Sequence, residues 1–286
     1  MMNKAVKLIE CPRDAMQGWY KFIPTVKKIE YINSLLQVGF DTIDFGSFVS
    51  SKAIPQMADT KTVISNLNLE ISKTKLLAII ANERGAKEAA EYDAISYLGF
   101  PFSISQTFQQ RNMNSSIEES LQRIEAIQSI CVQHKKTLVV YLSMAFGNPY
   151  GDAYNEDILM HWADELVKRN ISIISLADTV GVAMPGQIDA ACATLIKEYP
   201  SIEFGVHLHS STQNRKEKLD AAFNAGCLRF DGAVNGIGGC PMAQDELIGN
   251  MDTLYMIDYF KQKNVLSQLN EEALHKSLII ANEIFT

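Results

Sequence analysis

The feature that most restricts the fold of this sequence is a repeated order: a short run rich in Val, Ile and Leu, a polar turn, then a helical pattern. Eight runs carry it: Val6–Cys11, Thr42–Gly46, Leu76–Ile80, Ala94–Phe100, Thr137–Leu142, Ser172–Leu176, Glu203–His207 and Leu228–Asp231. Most are apolar at successive positions, as parallel strands covered on both faces must be. Helical patterns between them include Val26–Gln37, Glu156–Arg169, Gly186–Glu198 and Arg215–Ala225, and Gly39 and Gly226 stand where a helix would stop before a strand. The clearest helix start is Ser115, where Ser115 and Glu118 give the spacing of a capping box and Ile117, Leu121, Ile124 and Cys131 follow at turn spacing. Eight alternating units in about 230 residues predict an α/β chain closed as a (β/α)8 TIM barrel. The barrel is expected over about 5–242, with a C-terminal helical extension over about 243–286, and 1–286 as one domain. A doubly wound open sheet is the rival. It would more often place a Gly-rich nucleotide turn after the first strand, where this chain has Cys11-Pro12-Arg13-Asp14.

Composition narrows the class of function. The 286 residues include 26 basic and 33 acidic side chains, a net charge of −7, with 47% apolar and 21% charged residues. These are globular proportions. The acidic balance argues against a nucleic-acid sheath or an anionic-membrane binder, since neither would gain counterion release or surface attraction. No apolar run approaches the roughly 20 residues that cross a bilayer, and the opening segment lacks a signal or transit pattern. Five cysteines without a CxxC point to a reduced chain. A soluble, cytoplasmic protein is expected.

In a parallel barrel, reactive groups gather at the carboxyl ends of the strands. Strand one ends in Arg13-Asp14, strand two in Asp44, strand six in Asp178 and strand seven in His207-Leu208-His209. Residues two apart on a strand share a face, so both imidazoles can reach one point, either as a hydrogen-bonded pair or as metal ligands. Asp14 at the same mouth adds a hard oxygen donor. Two imidazoles, a carboxylate and an amide or water suit Mg, Mn, Co or Zn. Arg13 and Asp14 are adjacent, so both enter the mouth only if the chain turns there; otherwise they form an ordinary ion pair. Asp178 is read equally as an N-cap or a catalytic group. The loop Asn235-Gly236-Ile237-Gly238-Gly239-Cys240-Pro241 is glycine-rich enough to flex, and its thiol is either a proton donor or nucleophile, or an ordinary surface cysteine. Cys11, Cys131, Cys192 and Cys227 fit small core positions.

Together these motifs resemble the 3-hydroxy-3-methylglutaryl-CoA lyase family over nearly the whole chain. Pro12-Arg13-Asp14-Ala15-Met16-Gln17 looks like PRDGLQ, and Ser47-Phe48-Val49-Ser50 with Ile54-Pro55-Gln56-Met57-Ala58-Asp59 looks like SFVSPKxxPQMxD. Ser115–Ser120, Gly147-Asn148-Pro149-Tyr150, Asp178-Thr179-Val180-Gly181, His207-Leu208-His209 and Gly236–Pro241 continue the match in order. The resemblance implies a divalent metal, Mg or Mn first and Co or Zn second, on Asp14, His207, His209 and Asn250. It implies Cys240 as proton donor, Arg13 as stabiliser of the thioester oxygen, and Gln17 and Asp44 lining the acyl site. It also implies an acyl-CoA substrate and a homodimer, with neither nucleic acid nor membrane as partner. The chain departs from the pattern at Asp44 (usually Glu), at Ser210-Ser211-Thr212 after the second histidine, at Met242 and at Tyr20, and the step from Cys240 to Asn250 is one residue longer.

The chemistry so implied is metal-assisted cleavage of 3-hydroxy-3-methylglutaryl-CoA to acetoacetate and acetyl-CoA. Asp14 or a water on the ion would take the hydroxyl proton, and Cys240 would protonate the departing enolate. Lys21, Lys52 and Arg111 are candidate cations for the CoA phosphates. A lyase for a related 3-hydroxyacyl-CoA, a condensing synthase of the isopropylmalate or homocitrate type, and a non-catalytic acyl-CoA-binding barrel are the alternatives.

Overall fold

The eight apolar runs are strands, and they close. In the computed structural model, which describes residues 5–70, 72–239 and 248–286, they are β1 (Lys7–Glu10), β2 (Thr42–Ser47), β3 (Lys75–Ile79), β4 (Ile95–Ser103), β5 (Thr137–Ser143), β6 (Ile173–Asp178), β7 (Glu203–Leu208) and β8 (Arg229–Gly232). Every neighbour pair is parallel, and β8 returns to β1 with Lys7 opposite Arg229 and Glu10 opposite Gly232. That last pairing rules out the open sheet.

The helices are α1 (Pro12–Gln17), α2 (Thr25–Leu36), α3 (Thr60–Ile64), α4 (Glu83–Ala90), α5 (Gln106–Met113) and α6 (Ile117–Gln133), then α7 (Glu156–Lys168), α8 (Pro185–Glu198) and α9 (Arg215–Asn224). The C-terminal extension holds two more, α10 (Thr253–Gln262) and α11 (Glu271–Ile284). One helix start is shifted from the expectation. The capping box belongs to Ser116 and Glu119, with Glu119 N–H donating to Ser116 Oγ at 3.1 Å and Ser116 N–H to Glu119 Oε2 at 2.8 Å. Consecutive serines followed by consecutive glutamates offer two registers. Ser115 is buried and engaged with Gln109 and Ser120, which leaves Ser116 to cap.

Strand residues alternate between two environments. Phe204, Val206, Leu208 and Phe230 face the large core between barrel and helices, while Leu77, Ile79, Tyr97, Val139, Tyr141 and Ile173 form a smaller cluster inside the barrel. The other face of β7 carries Gly205 and His207, and that of β8 carries Arg229 and Asp231, so polar groups share the barrel interior. Gly205 is needed there: a Cβ would lie 2.8 Å from Arg229 Cδ. Cys11, Cys131, Cys192 and Cys227 are buried and unpaired, as expected of core thiols.

Glu10 fastens the extension to the barrel. This fully buried carboxyl accepts from Val234 N–H at 3.0 Å and from the Thr253 hydroxyl. Burial outweighs both hydrogen bonds and lifts its pKa from 4.5 to about 8. The folded state therefore keeps a proton that the unfolded chain has lost, and the associated stability is full below about pH 4.5 and disappears as pH climbs through about 8. Glu10→Gln, which preserves shape and stays neutral, should flatten that decline; denaturant midpoints measured from pH 5 to 9 check it, and an unchanged slope would contradict the assignment.

Candidate metal centre and active site

The site begins at the junction of β1 and α1. Pro12 at the first helical position needs no N–H partner and has its φ preset for a helix, so the chain turns as soon as the strand ends. Asp14 and Ala15 N–H both donate to Cys11 O, at 3.1 and 3.2 Å. The turn brings both Arg13 and Asp14 into the mouth.

Arg13 is held on every nitrogen. Nε donates to Asp44 Oδ2 at 2.9 Å, with Nη2 on the same oxygen, and Nη1 donates to Asp14 Oδ1 at 2.8 Å and Gln17 Oε1 at 3.0 Å. The two carboxylates around it diverge. Burial would raise Asp14, but Arg13 foremost, then His207, an Asn250 hydrogen bond and His209 hold it at about 2. Burial dominates at Asp44 despite Arg13 and lifts it to about 6. One Asp44 oxygen, Oδ1, is buried without a partner among the described residues.

β7 and the residue just past it supply the imidazoles. His207 Nε2 lies 4.0 Å from Asp14 Oδ2, while its Nδ1 lies 3.4 Å from Asp231 Oδ2 on β8. Burial pulls the His207 pKa down, and Asp231 and Asp14 more than restore it, so the net shift is upward. His209 is pushed down to about 3, by burial first and by His207 next, and stays neutral. One donor atom each from Asp14, His207 and His209 lies within 4.8 Å of the others. Asn250 is brought alongside by an antiparallel bridge to His209, in which Ser210 N–H donates to Gly249 O and Met251 N–H to Leu208 O. Its Nδ2 donates to Asp14 Oδ2 at 2.8 Å and Ile237 O at 2.9 Å, and its Oδ1 is buried with no partner among the described residues. An anionic oxygen, a neutral imidazole, a second imidazole and an orphaned amide oxygen make a donor set that fits a divalent cation.

A cavity of about 430 Å³ opens beside these groups. Arg13, Asp14, Gln17, His207 and His209 form its polar end, and Val49, Ile54, Ile79 and Phe108 are among its apolar walls. Hollows of about 480 Å³ at the opposite end of the barrel and about 520 Å³ beside Trp162 contain none of these donors. Of the three cations considered for CoA phosphates, Arg111 lines the cavity and lies 4.7 Å over the Tyr150 ring, whereas Lys21 is bound to the carbonyl of Thr286.

One expectation changes. Asp178 is not an N-cap, since α8 is capped at Met184, and it does not line the cavity. Its Oδ1 accepts from Ala183 N–H at 3.0 Å and its Oδ2 from Lys218 Nζ at 2.6 Å. Cys240 and Met242 lie outside the described residues. The described chain reaches Gly239, and Gly238, with φ +106°, packs so closely that a Cβ would be 2.5 Å from Asn250 Nδ2 and 3.1 Å from Ala15 Cα. Sequence reasoning missed Asp231 and Lys218. Each is a charged residue on the buried side of its element, Asp231 on β8 and Lys218 beside Leu219 and Ala222 on α9, and neither α9 nor β8 has an apolar pattern that would have marked it out.

A parallel barrel with carboxylate and imidazole donors at the carboxyl mouth defines a barrel enzyme built around a candidate metal centre. Comparison with known proteins gives the particular family: the chain belongs to the HMGL-like family, whose sequence model matches residues 5–279. It is 32% identical over 256 residues to the cytoplasmic 3-hydroxy-3-methylglutaryl-CoA lyase of Rattus norvegicus, covering 88% of this chain and 74% of that protein. It is 30% identical over 260 residues to the 3-hydroxy-3-isohexenylglutaryl-CoA/hydroxy-methylglutaryl-CoA lyase of Pseudomonas aeruginosa, covering 90% and 86%. An HMG-CoA lyase from Acinetobacter baumannii, solved with coenzyme A and 3-methylmalate, superposes with a TM-score of 0.91 at 28% identity, covering 100% of this chain and 92% of that one. The chain is accordingly an HMG-CoA lyase-like carbon–carbon lyase. No helix among the described residues is long and apolar enough to cross a membrane.

The donor set makes a direct prediction. Removing His207, as His207→Ala, should weaken Mn²⁺ binding by at least about tenfold by calorimetry; unchanged affinity would reject the ligand assignment. Because the His207 pKa is raised above 6.5, protons compete with the ion from that pH downward, so Mn²⁺ affinity of the unaltered protein should rise between pH 6 and 8.

Proposed function

We propose that this chain cleaves 3-hydroxy-3-methylglutaryl-CoA to acetoacetate and acetyl-CoA with a divalent cation, Mg²⁺ or Mn²⁺, held by Asp14, His207, His209 and Asn250. The observation that carries this reading is the convergence of Asp14, His207 and His209 donor atoms within 4.8 Å of one another, beside Arg13 at the polar end of a largely apolar cavity.

The cation would supply Lewis acidity toward the substrate's hydroxyl and neighbouring oxygens. The remaining work falls to side chains. When the bond between C2 and the hydroxyl-bearing C3 breaks, the electron pair moves onto the thioester as an enolate. Arg13 faces the cavity as a permanently charged guanidinium, its pKa raised further by Asp44 and Asp14 against the cost of burial. Asp44 and Gln17 fix its plane, so no reorientation is needed as negative charge builds on the thioester oxygen. Asp14, held at about 2, is suited to remain an anion that grips a cation. That counts against it as the acceptor of the hydroxyl proton and leaves a water in the mouth for that step. Cys240 follows Gly239 directly in the chain, and the reading assigns its thiol the proton delivered to C2. The apolar walls limit the water that competes for that carbon.

Those walls also support a second substrate reading, a related 3-hydroxyacyl-CoA with a longer chain at C3, in keeping with the likeness to the P. aeruginosa enzyme. Acetyl-CoA release from a panel of 3-hydroxy-3-alkylglutaryl-CoA thioesters, with Mg²⁺ and with Mn²⁺, tests both readings; no release from any member would reject them. Arg13→Met should lower kcat by about 10²–10³-fold. Cys240→Ala should lower turnover by a comparable factor while calorimetry still shows Mn²⁺ binding, and near-normal turnover would remove the assigned acid.

A further inference from the structure

Lys218 has no part in the reaction described above, yet it is among the most deeply buried charged side chains, at 1% exposure. It sits on the inward face of α9 with Leu219 and Ala222. A helix lysine ordinarily extends its ammonium to water. This one points inward and uses all three donors: to Asp178 Oδ2 at 2.6 Å, to the carbonyl oxygen of His209 at 2.8 Å and to the carbonyl oxygen of Gly181 at 3.2 Å. The acceptors come from the end of β6, from the loop after β6 and from the residue just past β7.

The contact with His209 gives the arrangement its meaning. His207 has a carboxylate, Asp231, beside its second ring nitrogen. Among the described residues no side chain hydrogen-bonds the ring of His209, so its direction follows from its backbone. That backbone is held on one side by the bridge to Asn250 and on the other by the Lys218 ammonium. We propose that Lys218 is a positioning residue for the candidate metal centre: its ammonium anchors the His209 carbonyl to Asp178 at the end of β6 and so sets the angle at which the imidazole meets Asp14 and His207. This inference rests on the metal-centre reading given above.

The test compares the unaltered protein with Lys218→Met and with Asp178→Asn/Lys218→Met. The single variant leaves Asp178 as an unpaired buried carboxylate and should be strongly destabilised. The double variant removes both charges at nearly constant volume and should recover most of the thermal midpoint. It should nevertheless bind Mn²⁺ about 10–100-fold more weakly by calorimetry, the range typical of lost support around a ligand. The Co²⁺-loaded double variant should also show displaced ligand-field absorption bands, a readout that a purely structural role would leave alone. A folded double variant with normal Mn²⁺ affinity and an unchanged Co²⁺ spectrum would overturn the proposal. Absence of Mn²⁺ binding by the unaltered protein would instead overturn the metal-centre reading and this inference with it.

Discussion

The mouth of the barrel is organised around one buried cation, the guanidinium of Arg13. Taking such a group out of water costs several kcal/mol unless its donors are met and its charge is balanced. Here Asp44, Asp14 and Gln17 meet them together. Two carboxylates share the guanidinium and part company in acidity, with Asp14 at about 2 and Asp44 at about 6. Asp14 also feels the imidazoles and a hydrogen bond from Asn250, whereas burial prevails at Asp44. Arg13 thus helps hold one acid as a durable anion facing β7, while burial leaves the other a weaker acid behind it, and the arrangement depends on the turn that Pro12 imposes.

The barrel was legible because its strands are covered on both faces and read as apolar runs, and because an HxH pair on a strand declares a shared direction. What sequence left obscure is what happens across the fold. Asp178 stands at a strand end, where an N-cap or a catalytic acid is a reasonable expectation, but its partner is Lys218, on α9 three elements later. Asp231 lies on β8, and only the register of the β7–β8 pair, which sets it opposite His207, brings the two together. The capping box was right in kind and wrong by one residue, because Ser115 had a competing use in the Gln109–Ser120 cluster. The end of the glycine-rich loop, including Cys240, lies outside the described residues and keeps the role that resemblance suggests.

Asn250 shows how a candidate ligand position can be kept despite a change in spacing. The loop before it is one residue longer than the family pattern, which counted against Asn250 when read as spacing alone. In the fold, backbone bonds on both sides of Asn250 pair it with the residues around His209. The amide is therefore placed by the strand end it pairs with, and the preceding loop can vary in length without moving it.

The pairing of Gly205 with Arg229 reaches beyond packing. With a hydrogen in place of a side chain on β7, the arginine from β8 fills the barrel beneath the histidines, alongside Tyr97, Tyr141 and Ile173. The tunnel that a ring of strands suggests is plugged. Among the described residues, the histidines are therefore approached from the carboxyl ends of the strands, and the hollow at the opposite end of the barrel shares none of their cavity.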